Sequence, residues 1–422
     1  MNSRPLKVLL LILALLFSAY SLWRVYWMTQ LGFNFFRWHS VLWFYLVVTL
    51  LLGAALWMGH TWWKLRSAKG AKVGGWIVLT WAAICWMEFL LRMMGTFEVY
   101  SEKRDGYYYS PISSHKNSWY YVYHANARNR LKSGDEYDYV RHTNNLGLSD
   151  KEWAVQKDSG TIRILALGDS FTEGAGAPAD SSYPALLAQL LPKAYPSLHI
   201  EVMNAGVCGS DPYFEYMLLQ HKLTAYRPDI VLYTNSENDL LLDYAIYGGM
   251  ERFLPNGAIQ PRLQKKIWMD VYAISHIFRA IRSISRGSDA LLSDSDVAQA
   301  KRTMYADSKH LSKLYSQLAV ANGFQCVQLI RPNKQEFKAA AYVFSPDSLL
   351  PKEDLPHYRQ VDLLSIYLDT LGTPSQAGDK YYWKKDGHHN ATGYQLMAEG
   401  VMVALRPLLD SLNAPTATAK AK

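Results

Sequence analysis

The chain has 422 residues, half of them apolar, with 14 tryptophans, 29 tyrosines and a net charge of +8. This length exceeds one ordinary domain, so at least two units are expected. The modest positive excess sits mostly in short loops between apolar stretches and in the tail, which points to membrane topology and solubility and away from a nucleic-acid-binding role.

Three early stretches, at about 8–27, 40–59 and 73–94, are rich enough in apolar residues to cross a bilayer. A spanning helix needs roughly 20 such residues. The third is broken by Glu88, which has Arg92 four residues on, a spacing that supports a helix. Trp38, Trp43, Trp57, Trp62 and Trp63 lie near the ends, as interfacial aromatics do. Arg4 and Lys7 before the first stretch would also suit a cleaved leader, but no convincing small-x-small cleavage site follows, so a retained helix is expected. Lys64, Arg66, Lys69 and Lys72 fill the loop between the second and third stretches. The positive-inside rule puts that loop in the cytoplasm and everything beyond about residue 95 outside the inner membrane, in a bacterium the periplasm.

Residues 96–155 read as a polar, tyrosine-rich extracytoplasmic connector with short extended pieces around Tyr107, Tyr120 and Tyr137. Its aromatics would pack on the following domain or the membrane, or offer a glycan-stacking surface. From Thr161 a βα rhythm begins. Apolar strands are expected at 162–167, 199–203, 229–234 and 325–330, with helices at 183–191, 213–221 and 391–405. Continuous apolar strands separated by helices predict a parallel sheet covered on both faces, in a domain spanning 156–412. Residues 240–315 are too long for a simple crossover and read as an insertion or lid. The stretch 268–284 could form an amphipathic helix, facing the core or lying on the membrane. Residues 413–422 form a small, polar, basic tail expected to be disordered. Cys85 falls in the third apolar stretch; Cys208 and Cys326 fall near predicted strands and read as two buried thiols, with a disulfide the alternative.

The chemistry gathers at strand ends. The run from Arg163 to Gly174 ends an apolar strand in Gly168-Asp169-Ser170, a tight turn that can hold a serine hydroxyl at the carboxyl edge of a sheet. The helix-prone segment after it would place Ser170 where free amides favour developing negative charge. After the second strand, Gly206 and Gly209 allow close backbone approach to a ligand. After the third, Asn238 is a neutral donor suited to an oxyanion. Far downstream, Asp386-Gly387-His388-His389 supplies an imidazole and a carboxylate to orient it, the partners that a weak serine nucleophile needs. No other His, Cys, Asp or Glu cluster has zinc spacing, and no metal or organic cofactor is called for.

On these residues the chain resembles the GDSL, or SGNH, hydrolase superfamily. Gly168-Asp169-Ser170-Phe171 resembles its first block; Gly209 falls at the glycine of the second, Asn238 at the asparagine of the third, and Asp386 with His388 at the fifth. The likeness covers about 160–408 and reaches back weakly to Thr143-Asn-Asn-Leu-Gly147. It implies a flavodoxin-like three-layer α/β/α domain with a parallel sheet, here preceded by a three-helix transmembrane region. It also implies ester chemistry with Ser170, Gly209 and Asn238 around the oxyanion. A D-x-x-H spacing would select His389 as base; the D-x-H form followed by x-N-x-x-G selects His388, which is preferred. The expected activity is a membrane-anchored serine esterase acting on acyl esters, acetyl foremost, of a glycan or lipid. The alternatives are a glycan O-acyltransferase using the same triad and, from another class, a catalytically silent glycan-binding or assembly protein.

Overall fold

The computed structural model describes residues 83–84, 87–88, 91, 109–111, 121–133, 135–255, 259–260, 262, 275–286 and 294–413. The first two apolar stretches, most of the third, Cys85, Arg92 and the tail from 414 lie outside these residues. Among the described residues no helix is long and apolar enough to cross a membrane. The chain divides into two compact units, Met1–Arg104 with Gln264–Ser293, and Asp105–Leu263 with Asp294–Lys422.

The second unit carries two antiparallel pairs, β1 (Tyr109–Pro111) with β2 (Tyr121–Tyr123), and β3 (Arg128–Ser133) with β4 (Tyr137–His142). A five-stranded sheet follows, built from β5 (Thr161–Gly168), β6 (His199–Gly206), β7 (Ile230–Asn235), β8 (Gln325–Ile330) and β9 (Tyr358–Asp362). All pairings within it are parallel, and the order is β6-β5-β7-β8-β9. Numbered within the sheet this is 2-1-3-4-5, the flavodoxin-like order. Its connections reverse direction between β5 and β7, and the carboxyl ends of those strands open the crevice where such sheets bind ligands.

The helices are α1 (Ser170–Glu173), α2 (Tyr183–Ala194), α3 (Pro212–His221), α4 (Glu237–Tyr247), α5 (Asp294–Asn322), α6 (Lys334–Ala339) and α7 (Ala391–Asn413), with shorter turns between. They cover both faces of the sheet. Ile164, Ala166, Ile230, Leu232, Val327 and Leu329 pack with Leu187 and Leu191 of α2 and Val401 and Leu405 of α7. On the opposite face Tyr233 of β7 stacks on Tyr315 of α5 at 4.2 Å between ring centres, and Tyr216 of α3 meets the same ring edge-on. Burial on both faces explains why Ile164–Leu167 of β5 and Ile230–Tyr233 of β7 read as continuous apolar runs.

Two elements depart from the sequence expectation. Strand β9 has the sequence Tyr-Arg-Gln-Val-Asp and every residue half-buried, so no apolar run marks it; it is the edge strand beside β8. Helix α7 runs on past Leu405 to Asn413 with Pro407 inside it.

In the first unit a helix spans His276–Arg286, at the end of the stretch expected to be helical over 268–284; residues 268–274 lie outside the described residues. Its amino end is capped by Glu88, whose carboxylate accepts from the His276 amide at 2.7 Å, the Ile277 amide at 3.0 Å and Ser275 Oγ at 2.9 Å. The helix dipole favours a carboxylate there. Ile281 and Ile284 on this helix are exposed.

Candidate active site

Strand β5 delivers Ser170. At Gly168 a Cβ would sit 2.0 Å from Thr172 Oγ1, so only glycine allows the chain to turn into α1 this tightly. Asp169 caps α1 by accepting from the Phe171 amide at 2.9 Å, which leaves Ser170 at the head of the helix and nearly buried. The loop before α7 delivers the partners. His388 Nε2 lies 2.8 Å from Ser170 Oγ, across 218 positions of sequence. The other ring nitrogen, Nδ1, is hydrogen-bonded to Asp386 Oδ1. Serine, imidazole and carboxylate therefore form one continuous chain of hydrogen bonds.

Burial alone would raise the Asp386 carboxyl. The hydrogen bond and charge of His388, the Tyr137 hydroxyl and the His388 amide outweigh it and hold Asp386 below the ordinary carboxylate range. His389, the alternative base, lies elsewhere. Its ring is 1% exposed and packs at 4.2 Å from the Tyr382 ring, with Nδ1 3.1 Å from the Tyr381 carbonyl. Burial pushes it down to about 3, so it is a neutral core histidine. Spacing preferred His388 and kept His389 as the alternative; in the fold only His388 lies against Ser170 and Asp386.

Gly209 is brought to the same lip. The Val207 amide and Ser210 Oγ both donate to the Gly168 carbonyl, at 2.9 and 3.0 Å, tying the turn after β6 to the end of β5. Gly209 is exposed at a φ of +77° in that turn. Gly206 makes the approach possible, since a Cβ there would lie 2.1 Å from the Glu173 amide nitrogen. Asn238 falls in the first turn of α4, at the carboxyl end of β7, and its side chain lies outside the described residues.

Several residues with no signal in the sequence hold this arrangement. Glu173, two residues past the Gly168–Phe171 block, is fully buried. It accepts from Arg141 Nη1 at 2.6 Å, the Tyr123 hydroxyl at 2.7 Å and the Cys208 amide at 2.7 Å. It thus joins the connector to the Gly209 turn. Arg331, just past β8, donates to Asp169 Oδ2 at 2.8 Å. Within Thr143–Gly147, Asn144 Oδ1 accepts from the Leu146 and Leu148 amides, and the Gly147 carbonyl accepts from the Tyr123 amide. Of the connector tyrosines, Tyr123, Tyr137 and Tyr139 bond to the domain, through Glu173, Asp386 and the Gly176 amide. Tyr137 donates to Asp386 Oδ2 at 2.9 Å, and burial together with that negative neighbour pushes its own hydroxyl well above the usual range.

Cys208 and Cys326 are buried thiols not joined by a disulfide. Among the described residues no group of three or more His, Cys, Asp or Glu side chains could hold a metal ion.

No curated protein matches the chain. Solved structures similar to it include a two-domain esterase (CEX) active on acetylated mannans, at 14% identity over 62% of this chain and 52% of that one, with a TM-score of 0.32. The chain therefore spans about half the length of that protein. Another is LAE5, an α/β hydrolase from the metagenome of Lake Arreo, Spain, at 13% identity over 58% and 94% of the two chains and a TM-score of 0.36. A third is the acetyl xylan esterase AlAXEase, at 14% identity over 58% and 100% and a TM-score of 0.31. The sequence itself matches the GDSL-like Lipase/Acylhydrolase family over residues 166–396, from the heart of β5 into α7. The chain belongs to that family, of the GDSL, or SGNH, kind.

Proposed function

We propose that this esterase removes acyl groups, acetyl foremost, from a glycan outside the cytoplasmic membrane, with Ser170 as nucleophile, His388 as general base and acid, and Asp386 orienting His388. The observation that carries the reading is the 2.8 Å contact of Ser170 Oγ with His388 Nε2, whose ring is held at Nδ1 by Asp386. In this arrangement Asp386 fixes the tautomer with Nδ1 protonated, leaving Nε2 free to accept. As Ser170 Oγ bonds to the ester carbonyl carbon, its proton passes to Nε2. The C–O bond to the alcohol then breaks, and Nε2 returns the proton to the departing oxygen. Water repeats the sequence, releasing the acid and restoring the serine. The Ser170 and Gly209 amides and the Asn238 side chain would receive the oxyanion, each such donor being worth roughly 100- to 1000-fold in rate.

The compartment and substrate class rest on the sequence and on the surroundings of the site. The apolar stretches and the lysine-rich loop favour an anchored protein with this unit outside, where acylated glycans are exposed. Tyr137, Tyr139 and Trp383 form a half-buried aromatic group beside the His388 loop, with Tyr137 at 5.5 Å from Tyr139 and 5.9 Å from Trp383, a surface suited to sugar rings.

The test uses the full-length chain with p-nitrophenyl acetate, butyrate and octanoate and with an acetylated polysaccharide, with and without glycan acceptors. Acetate should be preferred, and Ser170→Ala should reduce kcat by roughly 10^4-fold or more. Full activity in Ser170→Ala would sink the assignment. Ester consumption that depends on an acceptor and releases no free acid would assign transfer instead of hydrolysis.

A further inference from the structure

The β3–β4 hairpin lies upstream of the region matched to the family, yet its tip reaches the loop that carries the acid and base. Glu136 accepts from the Lys385 amide at 2.7 Å through Oε1 and from the Asp386 amide at 2.9 Å through Oε2. Tyr137, the next residue, donates to Asp386 Oδ2. The two oxygens of Asp386 are thereby divided, Oδ1 to His388 and Oδ2 to Tyr137. A carboxylate held through one oxygen can swivel about its Cβ–Cγ bond; a second donor on the other oxygen stops the swivel. The hairpin is itself fastened near Ser170. The Gly176 amide donates to the Tyr139 hydroxyl at 2.9 Å, and Trp383 Nε1 donates to the Gly176 carbonyl at 2.7 Å. Gly176 follows α1 closely, so the path from Ser170 through Gly176, the hairpin, Asp386 and His388 closes back on Ser170.

We propose that Glu136 and Tyr137 are positioning residues for the acid–base pair: Glu136 sets the backbone of the Asp386 loop and Tyr137 sets the rotation of the Asp386 carboxylate. This rests on the assignment of Ser170, His388 and Asp386 above. The role differs from that of a sugar platform, because it is carried by the Tyr137 hydroxyl and not by the ring.

The test is a double-mutant cycle in the full-length chain, read as kcat and KM on p-nitrophenyl acetate and as the rate of Ser170 labelling by a fluorophosphonate. Tyr137→Phe keeps the ring and removes the hydroxyl. It should lower kcat and the labelling rate about ten-fold with KM and the thermal midpoint little changed, the scale of one hydrogen bond to a charged group. In an Asp386→Ala background the same substitution should cost nothing further, since its target is gone. Glu136→Gln, which keeps one accepting oxygen, should lose less than Glu136→Ala. The proposal is overturned if Tyr137→Phe leaves kcat and labelling intact, if its cost persists undiminished in Asp386→Ala, or if only KM rises. A neutral Tyr137→Phe alongside an inactive Ser170→Ala would remove this inference and leave the triad standing; a fully active Ser170→Ala would remove both.

Discussion

The guanidinium carbon of Arg331 lies 3.5 Å from the centre of the Phe171 ring, while the same side chain donates to Asp169, the residue that caps the helix bearing Ser170. The Phe171 ring also stands 5.0 Å from the ring of His388. Arg331 therefore braces two walls of the site at once, by stacking and by charge. A flat guanidinium can lie against the ring while its N–H edge reaches the carboxylate; an ammonium has no such face or fork.

From this follows the first prediction. Arg331→Lys should lower kcat without preventing folding, because the stack on Phe171 is lost while a charge remains. Arg331→Met should destabilise the protein by roughly 3 kcal/mol, the cost of leaving one half of a buried pair behind. Urea midpoints of the two variants check the ranking; equal stability of Met and Arg at this position would refute the bracing role.

Arg141 and Glu173 make a second prediction. Both side chains are 1% exposed and pair at 2.6 Å, and Arg141 Nη2 also donates to the carbonyls of Gly174 and Ala177. Glu173→Gln keeps the shape but strands the guanidinium charge in the interior, with an expected loss of about 3–5 kcal/mol. Adding Arg141→Met should recover part of that loss, since the two sites are directly coupled. Strictly additive losses in thermal or urea denaturation would show that the pair is not the cause. Because the Cys208 amide also rests on Glu173, activity should fall in Glu173→Gln even where the protein remains folded.

His389 makes the third, through pH. Its ring stays neutral in the native state down to about pH 3, whereas the unfolded chain takes up the proton at the ordinary value of 6.5. Between these values the unfolded state binds more protons, so stability is lost as pH falls through that window, by about 1.4 kcal/mol per pH unit from this group. Above 6.5 neither state is protonated and His389 adds no slope. His389→Asn should be less stable at pH 7, from lost packing, but should decline less steeply between pH 6 and 4 when urea midpoints are compared. Parallel slopes for the two proteins would contradict the assignment of a buried neutral ring.

The sheet was largely legible because burial on two faces leaves a plain mark: six consecutive buried residues in β7 are all apolar or small and polar. Strand β9 left none, being an edge strand with side chains half in water. At the site, Ser170, Gly209, Asp386 and His388 were legible because each combines a reactive or conformationally special residue with a strand or helix terminus. Glu173, Arg331 and Tyr137 were not. Their partners are 32, 162 and 249 positions away, and a charged or phenolic side chain in a polar stretch reads as solvated until the fold buries it. Spacing preferred His388 and kept His389 as the alternative; neighbours in sequence, the two differ in what packs around them.

A fragment trimmed to begin at Thr161 would retain all five parallel strands and every residue aligned with the family. It would nevertheless strip the interior carboxylate of Glu173 of its counter-ion and leave the Asp386 loop with neither Glu136 beneath its amides nor a second donor on its acid. The stretch ahead of the sheet is therefore bonded into the candidate site, and shortening it for convenience of purification should yield a protein that is folded poorly and turns over slowly.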